Sequence, residues 1–159
     1  MITWLTQTTL GRMLQTFIIS MVPVAELRAG IPYGVALGLD YHLAALAAIL
    51  GNIFPVPVIM TYVKQIFRWL RRKSAKLDAW VSGMEEKAQT KGEKVRRYGM
   101  IGLILLVAIP LPGTGAWTGA LVAAVMGLKT RNALPAITVG VLIAAAIVLG
   151  VTYGVASIF

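Results

Sequence analysis

Hydrophobic residues fill four long blocks of this chain, and polar positions break two of them in the middle. Tyr41 to Val63 and Asn132 to about Val155 are continuous apolar runs. A helix rising 1.5 Å per residue needs about 20 such residues to cross a bilayer, so each run predicts one full crossing. Residues 13–39 and 99–128 are also apolar, but they are interrupted by PVAELRAGIP and PLPGTGAW. Each of their arms holds roughly 10–13 residues, or about 15–20 Å of helix, too short to cross alone. A helix, break and helix of that size predicts a re-entrant hairpin that enters and leaves on one side.

The two broken segments are related. At an offset of 89 residues, Pro23 falls on Pro112, Gly30 on Gly119, Gly38–Asp40 on Gly127–Lys129, Ala47 on Ala136 and Gly51 on Gly140. The unit is hairpin then span, repeated. One crossing lies between the copies, so the second enters from the opposite side, the inverted-repeat plan of secondary transporters. The expected fold is an all-α integral membrane protein: an inverted repeat of re-entrant helical hairpin plus transmembrane helix, joined by a cytoplasmic amphipathic helix. It forms one membrane domain over 1–159, with repeat one at 10–64, the linker at 65–97 and repeat two at 98–159.

Composition supports the class. The chain is 58% hydrophobic and 13% charged, with a mean hydropathy of +0.79, against about 25% charged for a soluble domain. Cysteine is absent, which excludes disulfides and thiolate chemistry, and one histidine, His42, cannot build a multi-histidine metal site. Charge is concentrated: Lys64 to Arg97 holds eleven Lys/Arg and four Asp/Glu, so most of the +9 total lies in one central segment. Beside apolar spans, the positive-inside rule accounts for this block more simply than nucleic-acid binding does, and places it in the cytoplasm; the expected location is the inner membrane of a prokaryote. Asp40 and His42 then mark the outer turn, and Lys129 and Arg131 the inner one. MLQTFIISMVPVA offers a rival reading as a signal peptide, but the proline at the cleavage region and the lack of early positive charge argue against it. Within the linker, Leu77, Trp80, Val81, Met84 and Ala88 recur at helical spacing. They predict an amphipathic helix along the inner surface, with Trp69 and Trp80 as interface anchors. RWLRRK either attracts anionic headgroups or merely fixes topology.

The polar breaks carry the candidate chemistry. Glu26 is the one acid placed in the membrane interior, and Arg28 follows two positions later. Charges at that depth cost several kcal/mol unless they are paired or face a wet cavity. They either neutralise each other and staple the hairpin to its partner, or form a functional site. In the second case, desolvation of Glu26 and the pull of Arg28 must be balanced for it to exchange protons. Pro32 suits the first turn of a short helix at 31–38, and PGTGAW opens another from about Ala116 to Met126. Both helix N-termini would point to the midplane and, with Arg28, favour an anion such as a phosphate or carboxylate. Asn52, eleven residues into the first span, would either contact substrate or make a span-to-span hydrogen bond. Thr114 and Trp117 are further lining candidates, with backbone capping and space-filling as their alternatives. Pro23, Gly30, Pro32, Pro110, Pro112, Gly113, Gly115 and Gly119 are expected to shape and pack the hairpin tips.

PVAELRAGIPYG together with PLPGTGAWTGALVAA resembles the paired signatures of the putative small multidrug export protein family, over nearly the whole chain. That family is distantly similar to the DedA, or VTT-domain, membrane proteins. The resemblance implies two facing re-entrant hairpins and a transport role, with Glu26 matching the acidic hairpin residue and Arg28 the nearby basic one. DedA relatives are linked to moving lipid carriers, including undecaprenyl phosphate, and to proton-dependent drug resistance. They carry arginines in and after the second hairpin, whereas PLPGTGAWTG has none.

Three functions fit. The first is a proton-coupled transporter or flippase for an amphipathic anionic substrate such as a lipid-linked phosphate, bound at the hairpin tips. The second is a proton-coupled exporter of lipophilic cations held by Glu26. The third is a non-transporting membrane-organising protein. No nucleophile–base pair, metal cluster or phosphate loop suggests an enzyme, and no cofactor is expected. The expected partners are membrane lipids, protons and the unidentified substrate. With two full crossings a monomer encloses little cavity, so a homodimer is expected.

Overall fold

A computed structural model describes residues 2–154, and these are helical apart from turns and caps. The order is α1 (Ile2–Gln7), α2 (Thr9–Met21), α3 (Glu26–Ala36), α4 (Tyr41–Ile53), α5 (Pro55–Lys73), α6 (Ala75–Tyr98), α7 (Met100–Ala108), α8 (Ala116–Val125) and α9 (Thr130–Leu149), closed by a π-helical turn at Gly150–Gly154. Among the described residues, two helices are long and apolar enough to cross a membrane: Tyr41–Lys73, which joins α4 to α5, and Thr130–Gly154.

The 89-residue offset reappears as geometry. α4 begins at Tyr41 and α9 at Thr130, the same distance apart. α3 and α8 end in the same cap. Gly38 and Gly127 take φ of 87° and 73°, conformations that favour glycine. Their amides return to Val35 and Ala124 at 2.8 and 3.1 Å, and those of Leu39 and Leu128 reach Gly34 and Ala123 at 3.1 and 2.9 Å. That is the Schellman arrangement in both copies. α2 packs on α4 as α7 packs on α9. Equivalent glycines permit both approaches: a Cβ at Gly51 would strike the Phe17 carbonyl, and one at Gly140 would strike Val107 and the Ile104 carbonyl.

The outer surface is apolar in stripes. Leu10, Leu14, Ile18 and Val22 stand exposed on α2 and just beyond its end, Leu46, Leu50, Phe54, Val58, Tyr62 and Ile66 along α4 and α5, and Val139, Ile143, Ile147 and Val151 along α9 and its extension. A spacing of four keeps each set on one helix face. Contiguous exposed apolar surface of that extent suits lipid rather than water. The interior is built instead from small residues, among them Ala44, Ala48, Ala116, Ala120, Ala123 and Ala133, which let helix backbones approach closely. Buried with them are Thr16, Ser20, Glu26 and Asn52.

Several expectations need correction. The first long helix does not stop near Val63. It is interrupted at Phe54, where Pro55 and Pro57 supply no N–H to the preceding turn, and then runs on to Lys73. At 33 residues it is roughly 50 Å long, so its basic end clears a hydrocarbon core of about 30 Å. The helix expected at 31–38 starts at Glu26, which leaves Pro32 inside α3 rather than at its first turn. Gly30 is likewise no tip residue: it packs against Ser20 of α2, as Gly119 packs against Val107 of α7. α6, expected as an amphipathic helix, turns its apolar face onto the helix bundle. It buries Val81, Ala88, Gly92 and Val95 and packs on α5, α7 and α8, while Trp80 stays 56% exposed. Arg71 of α5 pins α6 through Asp78, at 2.8 Å, and Glu85. Partly exposed pairs of this kind contribute at most about 1 kcal/mol each.

Candidate functional site

The tip of the first hairpin is the turn Val22–Ala25, which contains Pro23, and that of the second is residues 109–115, which contain Pro110, Pro112, Gly113 and Gly115. Chain reversal needs Gly113 at φ 78° and Gly115 at φ 128°. Glu26 itself sits at φ 47°, where a non-glycine residue is strained, and among the described residues it is the only such case.

Glu26 and Arg28 do not pair with each other: among the described residues the ion pairs are those of Arg71. Each instead grips the opposite hairpin. The Glu26 carboxylate, 3% exposed, accepts from the Trp117 amide at 3.3 Å and from the Ala116 amide, both in the first turn of α8. It therefore caps another helix from outside, where free N–H groups and the positive dipole end gather. Gly115 makes the room, because a Cβ there would overlap the carboxylate. The Arg28 guanidinium donates to the Leu111 carbonyl, to the Thr114 carbonyl at 2.7 Å and to Thr114 Oγ1 at 2.9 Å. The Trp117 indole N–H donates to the Met21 carbonyl at 2.9 Å, at the end of α2. So Glu26, Arg28, Thr114 and Trp117 converge on one joint between the tips. Trp117 does more than fill space. Thr114 satisfies backbone as well as Arg28, its hydroxyl lying 2.6 Å from the Ile109 carbonyl.

Asn52 lies behind this joint. It is 1% exposed, and its Oδ1 has no hydrogen-bond partner, so that oxygen makes no span-to-span bond. With Glu26, Leu27, Arg28, Val107, Gly115, Val141 and Ala144 it lines a narrow internal cavity. Two pairs of repeat-equivalent positions meet there, Glu26 with Gly115 and Asn52 with Val141. Each pair sets a polar residue of the first copy against an apolar one of the second, so the cavity lies where the copies face each other but its chemistry comes from one.

Lys91 of α6 also belongs to the joint, donating to the Gly113 carbonyl. Within a run of eleven basic residues nothing in the sequence singles it out. Gly115 was expected as a tip-shaping residue; its further part in seating Glu26 could have been read from the 89-residue offset, which aligns the two. As chemistry, the joint holds one acid on helix N–H donors and two cations on a loop of carbonyls. Among the described residues no group of three or more His, Cys, Asp or Glu side chains could hold a metal ion.

No curated protein and no solved structure matches the chain. One family model does, described as "Putative small multi-drug export protein", and its match runs over residues 26–147, from the joint's own Glu26 almost to the end of α9. That match covers well over half of the sequence, so the chain belongs to this small multi-drug export family, a family of membrane transporters by its description.

Proposed function

We propose that this chain is a proton-coupled membrane transporter whose two hairpins are re-entrant, enter from opposite sides, and form the gate where their tips meet. The substrate on this reading is an amphipathic anion such as a lipid-linked phosphate. The observation that carries it is the seat of Glu26. A carboxylate on the first N–H groups of α8, with Arg28 beside it, occupies the place an anionic substrate would take. Protonation removes the charge that α8 attracts, loosens the joint and frees those donors, so proton and anion binding become linked. Opposed directions of the two long helices support the inverted arrangement: Tyr41, at the start of α4, contacts Tyr153, at the end of the second long helix.

A second reading, export of lipophilic cations, is favoured by the carbonyls of Leu111, Gly113 and Thr114. They already hold a guanidinium and an ammonium from the chain itself, and the family description names drug export.

The two readings part at Arg28. In purified protein, Arg28→Ala should weaken binding of a polyprenyl phosphate by tenfold or more, as expected for loss of a charged hydrogen bond of roughly 1.5–3 kcal/mol. A lipophilic cation should hold or tighten, because Glu26 and the tip carbonyls lose a competitor. Thermal stability is measured alongside, since the variant also loses the hydrogen bonds of Arg28 to the second tip. If the folded variant binds such a cation more tightly, and polyprenyl phosphate binds neither form, the exporter reading replaces the first. Proteoliposome flux of Glu26→Gln tests coupling: a folded variant that transports at the normal rate removes Glu26 from the mechanism.

A further inference from the structure

The cavity behind the joint contains a polar atom with nothing to bond. Asn52 Oδ1 is an acceptor, and a buried acceptor left unpaired costs about as much as a lost hydrogen bond. Water cannot supply the missing donor, because the cavity has no room for a water molecule. Every other lining residue except Glu26 and Arg28 is apolar or glycine. Among the side chains that line the cavity, only these two carry polar groups that could supply a donor. Arg28 is already engaged by three acceptors on the second tip. Glu26 as a carboxylate can only accept, but as a carboxylic acid it carries one O–H donor.

We propose that Asn52 Oδ1 is the docking point for the protonated Glu26 carboxyl, so that proton uptake moves this side chain from the first turn of α8 to α4. This deepens the proton-coupled reading and rests on it. Ionised, Glu26 is held by the Ala116 and Trp117 amides. Protonated, it loses the charge that made those bonds strong and gains the one acceptor within its cavity that lacks a donor. The movement exposes the α8 N-terminus and unties one of the links between the hairpins. Asn52 thus acts as a positioning residue that gives the proton-bound state a defined geometry. Few other charges compete. Arg28 and Lys91 stand at the second tip. α4, α7 and α8 contain no Asp, Glu, Lys or Arg. α2 and α9 have one arginine each, Arg12, which reaches Gly38 at the far end of its hairpin, and Arg131 in the first turn of α9.

Infrared titration of the detergent-purified protein tests this. The wild type should show a carboxylic C=O band that grows on acidification and is missing in Glu26→Gln. In Asn52→Leu, of similar volume but with no acceptor, that band should move to higher wavenumber. Its midpoint should shift toward acid by about one pH unit, a tenfold loss of proton affinity. Asn52→Ser, which keeps a shorter acceptor, should fall between. A variant-free measurement covers the case in which these fail to fold: with carbonyl-labelled asparagine, the Asn52 band should shift in step with Glu26 protonation while that of Asn132 stays constant. If no band disappears in Glu26→Gln, the coupling reading itself fails. If the Glu26 band titrates but ignores Asn52→Leu, or the asparagine band responds to Arg28→Lys and not to pH, only the Asn52 assignment is overturned.

Discussion

Gly115→Ala isolates the contact on which the joint depends. Two separate penalties fall on this substitution. The backbone there has φ 128° and ψ −169°, a region populated almost only by glycine, and an alanine forced into it loses about 1–3 kcal/mol. The new Cβ also falls inside the Glu26 carboxylate and drives it off the Ala116 and Trp117 amides, removing charge-assisted hydrogen bonds of roughly 1.5–3 kcal/mol. The expected total is about 2.5–6 kcal/mol, read by thermal or denaturant unfolding in detergent. A double-mutant cycle with Glu26→Ala separates the two penalties. Without the carboxylate only the backbone term should remain, so Gly115→Ala should cost at least about 1.5 kcal/mol less in that background. An equal cost in both backgrounds would refute the claim that Gly115 exists to seat Glu26. Gly113→Ala is the control: its φ is also positive, but its Cβ would meet only the flexible end of Lys91, at 3.3 Å.

Three further outcomes are expected from the packing and the topology. Gly51→Ala should prevent stable folding, because its Cβ collides with the Phe17 backbone carbonyl. Gly83→Ala, on α6 with nothing within 4 Å of the new methyl, should stabilise by about 0.5–1 kcal/mol through helix propensity; the same unfolding assay reads both. For topology, single cysteines at exposed Glu86, Lys129 and Asp40 can be labelled in a chain that has no cysteine of its own. Glu86 and Lys129 should react from the cytoplasmic side and Asp40 from the other. Labelling of Glu86 and Lys129 from opposite sides would exclude a re-entrant second hairpin.

The sequence by itself determined what depends on local periodicity. Apolar runs gave the two long helices, although the second starts at Thr130 rather than at the expected Asn132. Paired interruptions gave the two helical hairpins, and the 89-residue offset set Gly38 against Gly127, which prove to be matching helix caps. These follow from chain-neighbour geometry and from glycine's access to positive φ, both of which a sequence displays directly. Local rules misread α3. Pro32 looked like a helix start, yet α3 begins six residues earlier, because capping α8 with Glu26 and packing Gly30 on Ser20 outweigh one lost backbone bond. The same limit hid the partners of buried Glu26 and half-buried Arg28. Glu26 and Arg28 are neighbours in sequence and read naturally as a pair, but each bonds to groups more than 80 residues away. Which donor meets a buried carboxylate is decided by how two hairpins dock, through contacts between residues that no sequence pattern relates. The grip of Lys91 on Gly113 and the unpaired Oδ1 of Asn52 came from the same source: only the packed helices decide which polar atoms are shut away from water, and beside what.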